Sequence, residues 1–172
     1  MAKLGKLSMT AIAIVSIMQI AAAPAPRIFD FRGSNTETPS PSIANIHPAY
    51  CKTEVDDYTC TEVNVIISGI RLQFLRQGFY RGRIYSVIAE FDSIDFARLR
   101  SAFISKYGAP SSTSNVILQD TSGRKIPNTL IVWKFKEGQL LLARVGSTAN
   151  TSLFSFSSPR NTPPTQPPKV DF

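Results

Sequence analysis

With 172 residues and 19 Lys and Arg against 12 Asp and Glu, the chain carries a net charge of +7 and has the length of a single domain. One histidine and two cysteines, His47, Cys51 and Cys60, lack a fourth ligand and match none of the usual zinc spacings, so no metal and no cofactor are expected. The basic balance points to anionic partners.

Taken in chain order, the first residues concern destination. Lys3 and Lys6 precede an uncharged, mostly apolar run over 7–20, and Ala21, Ala22 and Ala23 follow. This is the layout of a secretory signal peptide. Ser8, Thr10, Ser16 and Gln19 interrupt the run, which falls short of the about 20 apolar residues of a spanning helix. Cleavage is expected after Ala22, because a cut after Ala23 or Ala25 would leave a proline directly behind it. The mature chain then loses Lys3 and Lys6 and carries about +5. No cysteine follows the apolar run, so no lipid anchor is expected. The expected location is periplasmic or secreted, without a stable membrane anchor and without nucleic acid as a partner.

Of the 12 prolines, all but Pro110 and Pro127 fall in 24–48 and 159–168. Such composition buries little apolar surface. The expected organisation is a signal peptide over 1–22, a Pro-rich linker over 23–49, one domain over 50–157 and a Pro-rich tail over 158–172. Cys51 and Cys60 form an even, close pair, which in an oxidising compartment reads as a disulfide.

Within 50–157 the period alternates between two and helical. Residues 63–68, 70–74 and 82–91 alternate as strands, with Gln77-Gly78 as the turn between the second and third. Asp92 or Ser93 caps a helix whose apolar stripe is Phe96, Leu99, Phe103 and Tyr107; Gly108 and Pro110 stop it. Strands follow over 114–119, 128–135, 139–145 and 153–157, the third after a tight turn at Glu137-Gly138. The predicted fold class is α+β: one antiparallel sheet of six to seven strands with a single helix on one face, in the order β-β-β-α-β-β-β-β.

The Lys106-Tyr107-Gly108-Ala109-Pro110 helix stop, followed by hairpins holding Trp133, resembles small exported bacterial α+β domains of unknown role. The resemblance spans about 82–157 and implies a fold and a compartment. It carries over no catalytic or binding residue.

Chemistry is sparse. His47 stands beside Pro48 in the expected linker, and no nucleophile–base motif, glycine-rich phosphate loop or dinucleotide fingerprint occurs. Glu90, Asp92 and Asp95 are the carboxylates a small envelope hydrolase would use, against a plainer reading as caps and surface charge. Glu54, Asp56 and Asp57 lie in the Cys51–Cys60 loop but lack the spacing of a calcium loop. Asn150-Thr151-Ser152 is a glycosylation sequon in a eukaryotic host, and the apolar C-terminus Val170-Asp171-Phe172 suits a PDZ-type groove.

The directional feature is basic. From Val63 to Ala89 there are Arg71, Arg76, Arg81 and Arg83, with Tyr80 among them, and no Asp or Glu. Arginines beside aromatics grip phosphate, sulfate or carboxylate groups; they also guard edge strands. The expected function is a non-catalytic exported interaction protein of the cell envelope, binding an acidic protein or an anionic envelope polymer through Arg71, Arg76, Tyr80, Arg81 and Arg83. Because both faces of the Trp133 strand are apolar, the sheet needs cover on both sides.

Overall fold

The computed structural model describes residues 27–39, 51–54, 57–119 and 123–159. The signal layout, the cleavage point, His47, Asp56 and the C-terminal Val170-Asp171-Phe172 lie outside them.

The fold is α+β, an antiparallel sheet with one helix. The sheet has nine strands rather than six or seven: β3 (Cys51–Glu54), β4 (Asp57–Val63), β5 (Ile66–Ile67), β6 (Ile70–Tyr80), β7 (Arg83–Asp92), β8 (Ser112–Gln119), β9 (Lys125–Lys134), β10 (Gln139–Ala143) and β11 (Thr151–Ser157). A separate hairpin, β1 (Asp30–Phe31) with β2 (Ser34–Asn35), precedes it. The order across the sheet is β3-β4-β6-β7-β11-β10-β9-β8, with β5 folded back onto β6. Two meanders therefore meet at one seam, β7 against β11.

Local chemistry places the breaks. The expected strand over 63–68 is divided because Asn64, Ser68 and Gly69 take positive φ, at 54°, 51° and 75°. The turn expected at Gln77-Gly78 is instead the interior of β6. The chain reverses at Arg81-Gly82, with φ of 49° and 76°. Gly78 is glycine for a different reason: a Cβ there would overlap Ser86 Oγ and stand 2.7 Å from Tyr85 Cζ and 2.9 Å from Tyr85 Oη. The pairing of β6 with β7 shifts register between Gly78 and Phe79, beside this close approach.

A 3-10 turn, Ser93–Asp95, leads into α1 (Phe96–Tyr107). The Asp92 carboxylate accepts from Ile94 N at 3.0 Å, and Gly108, at φ 76°, donates its N–H to Ile104 O at 2.7 Å. The predicted stripe, Phe96, Leu99, Phe103 and Tyr107, is the buried one. It lies on the sheet face built from the rungs Leu75–Ala89–Phe154–Leu142–Ile131 and Gln77–Val87–Phe156–Leu140–Trp133. Phe103 meets Phe154 and Trp133 edge-on at 5.3 and 5.8 Å, and Trp133 Nε1–H donates to Gly108 O at 2.8 Å.

Part of the expected linker belongs to the core. Phe29 is fully buried and stacks on Phe156 with centroids 3.6 Å apart; Phe31 is 4% exposed. Tyr107 Oη donates to Asp30 O at 2.8 Å, and Lys136 N donates to Arg27 O at 2.9 Å. Burial, with Asp30 beside it, pushes the Tyr107 phenol far above its usual range. Arg32–Glu62, Lys106–Asp30 and Lys136–Glu37 pairs fasten the outside of this segment. The folded unit thus reaches back to residue 27, because two aromatics at alternate positions complete the layer that α1 leaves open.

Cys51 and Cys60 are joined and stand opposite each other across β3 and β4. The nine-residue separation closes a short loop, for which chain entropy gives about 2.7 kcal/mol. Reduction, or paired replacement by alanine, is expected to lower the urea-unfolding free energy by about that amount. An unchanged midpoint would count against it.

Candidate binding surface

The arginines do not form one cluster. Arg71 and Arg76 lie on β6, whereas Tyr80, Arg81 and Arg83 occupy the β6–β7 hairpin end. At about 3.3 Å per residue, Arg71 and Tyr80 are about 30 Å apart. At the hairpin end, the Arg81 guanidinium stands 5.2 Å from the Tyr80 ring centroid, a cation–π contact. Tyr80 is opposite Arg83 on one side and Asp57 on the other. Nearby, burial and the Asp57 carboxylate raise the Tyr85 phenol pKa; Thr59 and Ser86 also bond to it and oppose the rise.

Register places Arg71 and Arg76 on the sheet face opposite α1. Their neighbours Leu72, Leu75 and Gln77 are buried on the helix side, and Arg76 is exposed. One rung runs across six strands as Arg76, Ile88, Ser155, Leu141, Val132 and Ser112. The next holds Phe74, Glu90, Leu153, Ala143, Leu130 and Ser114. Phe74, Ile88, Leu153, Leu141, Val132 and Leu130 are only half-buried, and Val63, opposite Phe74, is 63% exposed. Both faces of the β9 strand are thus apolar, but only one has the helix on it.

This face has a feature that the arginine pattern does not reveal. Lys134, in register with Gln139 and through it with Ser157, stands at its far side. Beside it, a cavity of about 570 Å³ is lined by Lys134, Lys136, Gln139, Ser157 and Pro159 among others. Alternation from Val132 to Lys134 is the sequence signal for that placement. The apolar strip thus runs between Arg71 and Arg76 on β6 and Lys134 on β9.

The acidic candidates have structural occupations. Asp92 caps the 3-10 turn, and Asp95 pairs with Arg98 at 3.1 Å. Glu90 is 7% exposed; its Oε1 accepts from Ser147 N at 2.5 Å and from Thr151 Oγ1 at 3.3 Å, fixing the β10–β11 connection. Gly146 is the close approach that this requires, since a Cβ there would stand 2.8 Å from Glu90 Oε1. The described residues bring together no group of three or more His, Cys, Asp or Glu side chains able to hold a metal, and among them no helix is long and apolar enough to cross a membrane.

Comparison with protein families, curated proteins and solved structures finds no match.

Proposed function

We propose that this is an exported, non-catalytic interaction protein of the cell envelope, and that it binds an acidic protein or an anionic envelope polymer on the sheet face opposite α1. The observation that carries the reading is the combination on that face of a half-buried apolar strip with cationic side chains at both margins. The strip supplies desolvated contact area, and guanidinium groups supply paired hydrogen bonds to carboxylate, sulfate or phosphate oxygens. The leader-like N-terminus and the Cys51–Cys60 bond support an oxidising compartment.

The test separates the two arginine groups. Retention on an acidic matrix and on envelope extract is measured for wild type, an Arg71→Gln/Arg76→Gln variant and an Arg81→Gln/Arg83→Gln variant, at low and physiological salt. Loss of the β6 pair is expected to weaken binding about tenfold, or about 1.4 kcal/mol, while the hairpin-end pair changes it little. Wild-type binding should fall as added salt shortens the screening length to about 8–10 Å. Equal retention by all three proteins would refute the reading.

A further inference from the structure

The two ends of the sheet are finished differently. At one end, β3 has four residues, includes Lys52 and Glu54, and is tied to β4 by the disulfide. Short, charged edges resist pairing with other chains. At the other end, β8 runs for eight residues, Ser-Thr-Ser-Asn-Val-Ile-Leu-Gln, without a charge or a proline. Seven of the eight are exposed, among them Ile117 at 64% and Leu118 at 37%. None of the described residues pairs with its outer side. In a chain of net charge +7, this is an edge that two copies can share without bringing cations together along the contact.

The backbone orientation of the edge can be derived. Ile117 stands opposite Pro127, which has no N–H to donate. Antiparallel pairs alternate between bonded and non-bonded, so Ile117 sits in a non-bonded pair and turns its own N–H and C=O outwards. Thr129, opposite Asn115, agrees: its carbonyl accepts from Arg144 N at 3.0 Å on the other side of β9. Asn115, Ile117 and Gln119 therefore present donors and acceptors to the open side.

We infer that β8 pairs antiparallel with β8 of a second copy, about a two-fold axis at Ile117. That axis sets Ile117 opposite its own counterpart, Val116 opposite Leu118, and Asn115 opposite Gln119. Apolar then meets apolar and amide meets amide, whereas an axis at Val116 would set Asn115 against Ile117. Self-matching of this kind selects a second copy over an unrelated extended peptide. The inference does not rest on the proposed ligand. The axis is perpendicular to the sheet, so both Arg71/Arg76 faces would point to the same side.

Sedimentation of the full mature chain over a range of concentrations tests it. Wild type is expected at twice the monomer mass at high concentration. Ile117→Lys and Ile117→Pro are expected at the monomer mass with near-UV circular dichroism unchanged, because Ile117 gives no backbone bond to β9. As a test of register that does not depend on those variants folding, Val116→Cys/Leu118→Cys should form a covalent dimer on oxidation. A wild type that is monomeric at every concentration overturns the inference, even if an added extract slows exchange of the β8 amides. A dimer that persists in both Ile117 variants, or an absent cross-link, does the same.

Discussion

Replacing Phe29 by alanine is expected to lower unfolding free energy by about 3–5 kcal/mol, the usual cost of removing a buried ring and leaving its cavity. The side chain is fully buried, stacked 3.6 Å from Phe156 and edge-on to Phe135 at 5.3 Å. Tyr107, which packs beside it at 5.8 Å, cannot follow inward because its hydroxyl is held on Asp30 O. Against a typical net stability of about 5–15 kcal/mol, the change removes a large share. Ile28→Ala, one residue away and 44% exposed, should change the unfolding free energy by no more than about 0.5 kcal/mol. Equal midpoints for the two variants would restore residues 27–39 to the role of linker.

Gly138→Ala is expected to cost about 3 kcal/mol, at the upper end of overpacking substitutions. A Cβ at this position would overlap the Ser157 carbonyl oxygen and stand 3.0 Å from its carbon and 3.1 Å from Phe156 Cζ. Backbone cannot rotate away as a side-chain end can, so the β9–β10 turn must separate from β11. The bond from Phe135 N to Gly138 O, 2.8 Å, closes that turn and would be strained with it. Thermal melting should show the loss. Gly123→Ala, where the nearest atom is Gln119 Nε2 at 3.6 Å but φ is 85°, carries left-handed backbone strain of about 1–2 kcal/mol without crowding, and so sets that cost apart from the overlap at Gly138. If Gly138→Ala melted with wild type, the close approach to Ser157 would not constrain the fold.

What could be read from sequence was what neighbouring residues determine. The Phe96–Leu99–Phe103–Tyr107 stripe and the Gly108 stop act within a few residues of one another and stand where expected, whereas the Asp92 cap, expected on the helix itself, serves the 3-10 turn before it, and Asp95 at the head of α1 makes no side-chain cap bond. The N-terminal contribution was not local. Phe29 and Phe31 form too short an alternation to register as a strand, and their partners Tyr107, Phe135, Phe154 and Phe156 lie far along the chain. Gly78 shows the same limit: a Gln-Gly pair reads as a turn unless the cross-strand Ser86 and Tyr85 side chains are known. That misreading spread to the binding surface. A turn at 77–78 would fold Arg71 and Arg76 against Arg81 and Arg83, whereas the reversal at Arg81-Gly82 leaves Arg71 and Arg76 along β6 and puts Arg81 and Arg83 at its far end. Lys134 needed only alternation, but its relation to β6 needed the strand order.

The seam between β7 and β11 also governs the order in which the molecule can assemble. The strand that completes the middle of the sheet is the last of the described strands in the chain, pairing Ala89 with Phe154 and Val87 with Phe156. Phe156 then receives Phe29, from the beginning of the described chain. Each meander can form early from hairpin contacts, yet neither can close the core until residue 157 is present, and such distant pairings are slow to form. A nascent or truncated chain ending before β11 would leave β7 as a raw edge and the aromatic layer without its centre, a state prone to association. Completion is therefore a single late event that joins the first and last of the described segments, and until then the polypeptide remains open enough to be threaded.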